Sequence, residues 1–234
     1  MRLYIIRHAD PDYENDTITP AGHLEAQALA RRLATEGIDR IYCSPKGRAL
    51  HTMRYTADML QMPYLIEDWM KELSDWRTEE TPWGQLMAWD VPGEIIRHQD
   101  PLPTYNTWHH VLHLENPMFQ ERFTWVKQQS DEFLEHLGYK REDGRYRCIK
   151  ANRLKIAVFC HNGLGLTWLA HLLEIPLALM WSGFWLATTS VTTILFDERS
   201  EEWAVPRCLG LSDVSHLYEA RLPLRTSGIK ANFY

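Results

Sequence analysis

Four apolar residues, Leu3-Tyr4-Ile5-Ile6, run without a break into Arg7-His8. A short continuous apolar run predicts a strand buried on both faces, as parallel sheets require. Residues 10–16 are a polar loop. Thr19-Pro20 then pairs an N-cap with a proline at the first helical position. The helix it opens runs to about Glu36, with Leu24, Ala28 and Leu33 near one face, and Gly37 is its stop. Ile41-Tyr42-Cys43 repeats the strand pattern. Ser44-Pro45 reads as a second N-cap and N1 pair, opening a helix to about Leu60, and Pro63-Tyr64-Leu65-Ile66 predicts a third, short strand. The first 62 residues are thus two βα units.

The pattern changes between residues 76 and 117. Five prolines and four tryptophans (Trp76, Trp83, Trp89 and Trp108) fall there with no sustained period. The stretch is too aromatic for a solvated linker and too long for a structureless connection, so it predicts an ordered insertion packed over the core as a lid or cap. Helical spacing resumes at Phe119, Phe123, Val126, Phe133 and Leu137. Asp143-Gly144 marks a turn. Ile156-Ala157-Val158-Phe159-Cys160 is another buried strand, ending at His161, and Gly163 leads into an apolar helix over residues 164–173. Residues 189–196 and 203–209, joined by a charged turn, read as a hairpin.

Composition narrows the classes. The 234 residues suit one sizeable core or two small ones; 45% are hydrophobic and 24% charged, as in ordinary globular proteins. The formal net charge is −6 and no basic run offers a phosphate-tracking surface, which argues against a nucleic-acid partner. Small anions stay within reach, because a pocket needs only a few local cations. No stretch is apolar enough to predict a membrane span, and four apolar residues before Arg7 are too few for a signal peptide. Cys43, Cys148, Cys160 and Cys208 form no C-x-x-C pair and lie in or beside strand-like segments. They are expected as buried free thiols, which fits a cytoplasmic location.

Parallel strands would bring three carboxyl ends to one sheet edge: His8, His161, and the helix start that carries Arg48 one turn beyond Ser44. Ligands of open α/β sheets bind at that edge. Two histidines, Arg7, Arg48 and a helix start there predict a site for a phosphoryl group. Taken singly, each residue has an ordinary reading: Arg48 a solvated helix cation, His161 a satisfied core histidine, Glu72 a surface acid. Their joint order argues otherwise.

In that order the chain resembles the histidine phosphatase superfamily, the phosphoglycerate mutase-like family. The matching residues are Leu3-Tyr4-Ile5-Ile6-Arg7-His8-Ala9, Thr19-Pro20-x-Gly22 and Cys43-Ser44-Pro45-Lys46-Gly47-Arg48-Ala49-x-x-Thr52. They continue with Lys71-Glu72-Leu73, Val158-Phe159-Cys160-His161-Asn162-Gly163 and Leu211-Ser212-Asp213-x-x-His216-Leu217. The match runs to about residue 217 and omits the insertion. Ala9 stands where the family usually has glycine after Arg-His, and Asn162 where it usually has glycine after the second histidine. The resemblance implies an α/β fold: a three-layer α/β/α sandwich with a mostly parallel central sheet, here a single domain over 1–234 with an inserted cap at about 76–117.

It also implies chemistry. His8 would attack phosphorus and form a phosphohistidine, as a largely neutral imidazole can. Arg7, Arg48 and His161, with Asn162 beside them, would hold the phosphoryl oxygens, and Glu72 would serve as general acid and base. Glu67, Asp68, Asp75, Glu79 and Glu80 compete with Glu72 by position alone. Fixed cations would supply the positive charge, so neither metal nor cofactor is expected. The expected reaction is hydrolysis of a phosphate monoester. A mutase-type phosphotransferase and a non-catalytic binder of phosphorylated ligands are the alternatives. The expected partner is a small phosphorylated metabolite, with a phosphoprotein second, and a homodimer is the candidate assembly. His109-His110-x-x-His113 would place His109 and His113 on one helical face, a spacing known from metal sites, but a lid or substrate contact, or no role, is the favoured reading. Cys160 beside His161 is poorly placed for mutual activation, since adjacent strand residues face opposite ways.

Overall fold

The computed structural model describes residues 1–229. In chain order the strands are β1 (Arg2–Arg7), β2 (Pro11–Asp12), β3 (Thr17–Ile18), β4 (Arg40–Cys43), β5 (Tyr64–Ile66), β6 (Tyr139–Glu142), β7 (Arg145–Cys148), β8 (Lys155–Cys160), β9 (Val191–Glu198) and β10 (Trp203–Asp213). The helices are α1 (Pro20–Glu36), α2 (Gly47–Leu60), α3 (Gly93–Arg97), α4 (Pro117–His136), α5 (Asn162–Leu173), α6 (Leu177–Gly183) and α7 (Ser215–Glu219). Eight strands form one sheet in the order β5-β4-β8-β1-β9-β10-β7-β6. The half from β5 to β1 is parallel. Antiparallel hairpins extend it on the other side, one from β9 to β10 and one turned at Asp143-Gly144. Both turn residues have positive φ, 49° and 78°, which suits a tight hairpin turn.

The pleat of β1 sorts its side chains between two cores. Tyr4 and Ile6 face Leu29, Leu33, Met53 and Ala57 of α1 and α2, while Leu3 and Ile5 join the larger core with α4, α5 and α6. On β8, Ala157 and Phe159 take the first side, and Ile156, Val158 and Cys160 the second. Helices on both faces of a buried sheet give the three-layer α/β/α architecture.

Register decides where the site forms. Arg7 pairs with Cys160, and Cys43 pairs with Phe159. The strands therefore end nearly flush, and His8, Ser44 and His161 emerge side by side. Two backbone bonds continue the ladder past the ends: His8 N–H donates to the Cys160 carbonyl (3.0 Å) and Ser44 N–H to that of Phe159 (2.9 Å).

Several local expectations needed correction. Thr19 caps α1 as read, its hydroxyl accepting from Gly22 N–H, and Gly37 ends the helix with φ 73°. Leu24, however, is 50% exposed, and Leu29 fills the core position. The second helix starts later than Ser44-Pro45 suggests: its N-cap is Lys46. Cys43 and Cys160 are buried, but Cys148 and Cys208 are only half-buried, and all four are free thiols.

The stretch from 76 to 117 is ordered and contributes to the larger core. It opens as a hairpin-like arm: Ala88 N–H donates to the Trp76 carbonyl, Thr78 N–H to that of Leu86, and Arg77 bridges Met87. Period-2 alternation then splits the arm. Trp76, Thr78, Leu86 and Ala88 are buried, whereas Arg77 and Gln85 are exposed and Met87 is half-buried. Trp76 stacks on Phe119 (5.8 Å between ring centroids) and meets Trp181 edge-on. Trp108, Val111 and Leu114 bury further along.

Candidate active site

At the flush strand ends, His8 and His161 are buried with ring centroids 5.2 Å apart. His8 Nδ1 lies 2.7 Å from the Ala9 carbonyl oxygen. A carbonyl can only accept, so Nδ1 carries the proton and Nε2 keeps its lone pair. Burial, and then the charges of Arg7 and Arg48, hold the His8 pKa well below the usual histidine value. The ring is therefore neutral at physiological pH. Burial does the same to His161, reinforced by His8, Arg48, Arg7 and Lys46. Its Nε2 lies 2.8 Å from the Ser44 hydroxyl, while its buried Nδ1 has no partner among the described residues. Ser44 Oγ also accepts from Lys46 N–H, so one hydroxyl serves both His161 and the entry to α2.

Arg48 projects from the first turn of α2. Asp16 Oδ1 accepts from its Nη1 at 2.8 Å, and Asp16 Oδ2 accepts from Gly47 N–H, also at 2.8 Å. A Cβ at Gly47 would stand 2.1 Å from the Asp16 carbonyl, so only glycine lets the loop come this close. Thr52, one turn on, takes Ala9 N–H and donates its hydroxyl to the Arg48 carbonyl. The spacing Arg48-x-x-x-Thr52 thus ties α2 to the residue after His8.

Arg7 is buried, and each terminal nitrogen donates to a backbone carbonyl: Nη1 to Leu186 (2.6 Å) and Nη2 to Ser227 (2.8 Å). Asn162 Oδ1 accepts from the N–H of the same Leu186 (3.0 Å). Asn162 and Arg7 therefore hold the same residue, one by its N–H and the other by its carbonyl.

Glu72 reaches the start of α5. Its carboxylate accepts from Gly163 N–H (3.1 Å), Leu164 N–H (2.9 Å) and Leu73 N–H (3.0 Å). Burial raises its pKa above the ordinary carboxyl value, against the lowering effect of those amides and of Arg48. The positional competitors are elsewhere. Asp68 pairs with Lys71 and Asp75 with Arg122, and Glu79 and Glu80 line a different cleft with His113.

Arg7, Arg48, Glu72 and Asn162, with Tyr13 and Lys46, line a cavity of about 560 Å³ that the exposed face of the 76–88 arm and Gly228-Ile229 complete; His8 and His161, 2% and 0% exposed, are not among its lining residues. The Arg48 guanidinium lies 5.4 Å from the Tyr13 ring. Two neutral imidazoles, two guanidiniums and a carboxyl with a raised pKa can bind a phosphoryl group, attack it and move a proton.

The sequence-expected residues His8, Arg7, Arg48, His161, Glu72 and Asn162 are thus gathered in one place. Sequence reasoning missed the roles of Ser44, Asp16, Thr52 and Tyr13. Ser44 and Thr52 stood inside a quoted motif, but Asp16 and Tyr13 carried no signal beyond lying in the polar loop. The helical metal spacing of His109 and His113 is not realised: a short 3-10 turn ends at His110, and His113 has φ 71°. Cys160 is a poor nucleophile, its thiol pushed up to about 12 by burial.

The chain is thus an α/β protein with two buried histidines and two arginines gathered at its parallel strand ends. The family model of the histidine phosphatase superfamily (branch 1) matches residues 3–207, and the chain belongs to that family. Over 82 residues it is 33% identical to the "Putative phosphoserine phosphatase 2" of Hydrogenobacter thermophilus, a match covering 31% of this chain and 40% of that relative. The fold is similar to that of the phosphoserine phosphatase of Entamoeba histolytica in complex with 3-phosphoglyceric acid. The TM-score is 0.60 and the identity 20%, over 92% of this chain and 98% of that one. The alpha-ribazole phosphatase of Shigella flexneri is also similar, with TM-score 0.54 and 21% identity over 92% and 97%. Among the described residues, no helix is long and apolar enough to cross a membrane.

Proposed function

We propose that this protein is a phosphatase that hydrolyses a small phosphate monoester through a phosphohistidine on His8, without a metal. The carrying observation is the Nδ1–H bond from His8 to the Ala9 carbonyl, which leaves Nε2 with the ring's free lone pair and supports it as the nucleophile. Family membership and the phosphatases among its relatives support hydrolysis. In the first step Nε2 bonds to phosphorus as the ester oxygen leaves, and protonated Glu72 gives that oxygen its proton. In the second, ionised Glu72 takes a proton from water, which attacks phosphorus and releases inorganic phosphate and free His8. Arg7 and Arg48 hold the phosphoryl oxygens, His161 supports the site from beside His8, and Asn162 positions the residue that holds Arg7. Fixed positive charge of this kind stabilises transferring phosphoryl groups through positioning and electrostatics. The insertion at 76–117 serves as the cap of a single domain spanning the chain, and a cytoplasmic setting suits its free thiols.

Trapping on a rapid time scale, in EDTA, tests the reading with a labelled aryl phosphate. Wild type should accumulate an acid-labile, base-stable phosphoenzyme, and His8→Ala should form none and lose at least ~10³-fold in turnover. Full turnover by His8→Ala, or activity abolished by EDTA and restored by a divalent ion, would refute it.

A further inference from the structure

A second cavity, of about 510 Å³, lies beside the phosphate cleft. Trp89, Asp90, Asn162, Gly228 and Ile229 line both spaces, so the two meet along a shared wall. The cleft is cationic, whereas the second cavity is aromatic. Trp83, Trp181, Phe184 and Trp185 line it together with the Trp89 wall. Two of these rings are unusually open to solvent, Trp83 at 48% and Phe184 at 41%. Exposed aromatics clustered beside a cleft mark a binding surface more often than a packing accident.

The aromatic wall is tied to the reacting groups. Trp185 lies 5.7 Å from the Arg7 guanidinium, and the next residue, Leu186, is held by both Arg7 and Asn162. The opposite wall is equally constrained. A Cβ at Gly163 would come within 2.6–2.7 Å of three Trp89 ring atoms, so Trp89 lies flat against the start of α5, beside the amide that Glu72 holds. The aromatic surface therefore has a set position relative to the phosphoryl site, as a leaving-group pocket must.

We propose that this second cavity takes a flat aromatic or heteroaromatic ring carried by the alcohol portion of the phosphomonoester. The preferred substrates are phosphate esters whose alcohol bears such a ring a few bonds from the ester oxygen. The inference rests on the phosphatase reading for where the phosphoryl group sits. A short, highly charged alcohol would fill the first cavity only and leave the rings in water.

The test separates ring recognition from catalysis. Calorimetry on the full chain compares 3-phenylpropylphosphonate, n-propylphosphonate and 3-phosphonopropionate, which share a phosphonate but differ in tail. The phenyl compound should bind at least ~10-fold more tightly than the propyl one, equivalent to about 1.4 kcal/mol. Phe184→Ala and Trp83→Ala, both at exposed rings, should each cut that ratio to below ~3-fold while leaving propylphosphonate affinity unchanged. Equal affinity for phenyl and propyl compounds, preference for the carboxylate tail, or a ratio indifferent to both substitutions would overturn the proposal. Hydrolysis of n-propyl phosphate by the same preparation reports on the phosphatase reading. Ring preference without hydrolysis would sink that reading and keep the aromatic site, and hydrolysis without ring preference would do the reverse.

Discussion

The strand-end centre and the 76–117 insertion are neighbours in space but differ in construction. In the centre, most polar groups serve a fixed partner: Ser44 holds His161, Asp16 holds Arg48, Ala9 orients His8, and Leu186 and Ser227 hold Arg7. The insertion is two-faced. One side of its arm is buried among Trp181 and Phe119, and the other presents Arg77, Gln85 and Met87 to the cleft. A centre that must stabilise charge at the moment of reaction gains from dipoles fixed in advance. A surface that selects among alcohols needs only a rigid back and a changeable front. Chemistry and selectivity can thus vary independently across one cleft.

That contrast can be broken by substitution, and the largest effect is expected at its reacting side. Arg48→Ala should lower kcat/KM by ~10³-fold or more, since it removes a cation from the transferring phosphoryl group and leaves Asp16 unpaired. Thermal stability should change little by comparison. A loss below tenfold would mean that Arg48 does not face the phosphoryl group.

The insertion is next, and there the two faces should part company in stability. Trp76→Ala should destabilise by about 3–5 kcal/mol, the range for emptying a large buried aromatic site. Trp83→Ala, half in solvent, should stay within ~0.5 kcal/mol. Denaturant melts of both variants measure this directly, and similar losses would deny the arm a buried back and an open front.

Glu72→Gln should cost ~10²-fold in kcat, the usual scale for losing a general acid. The pH profile gives the sharper readout. In the proposed mechanism His8 reacts as a neutral ring, and its pKa is lowered by burial, so the acid limb should fall below the ordinary histidine value. Glu72 must be protonated to donate, and burial raises its pKa, so activity falls as pH climbs through that raised value. Wild type should show a bell-shaped profile whose basic limb lies above the ordinary carboxyl value, and Glu72→Gln should lack that basic limb.

The smallest effect should lie on the shared wall. Gly163→Ala puts a methyl into the Trp89 ring and should cost about 1–3 kcal/mol through overpacking. Because Trp89 borders both cavities, the variant should also shift the preference between ring-bearing and plain alkyl esters. An unchanged preference would show that Trp89 takes no part in selection.

Much of the reacting side was legible from the chain alone. Apolar runs ending in Arg7-His8 and in His161, with Arg48 one turn into a helix, are local patterns whose meaning follows from strand and helix geometry. Glu72 was legible only through the family resemblance, because five other acids stood near it and nothing local distinguished them. Its capture by the amides of Gly163 and Leu164 bridges about ninety residues of chain. The pairing of the Ser44 hydroxyl with His161, 117 positions away, was equally invisible locally.

The sequence by itself determined the alternation of strands and helices, the identity of the two histidines and two arginines, and the edge of the sheet where they meet. These follow from periodicity and chain direction, which are short-range properties. Only the tertiary structure decided which nitrogen of His8 is free, why the two histidines are neutral, what holds Arg7 and Arg48, and which face of the insertion looks into the cleft. Proton affinity and orientation depend on burial and on partners brought together from remote parts of the chain, and no local pattern encodes those.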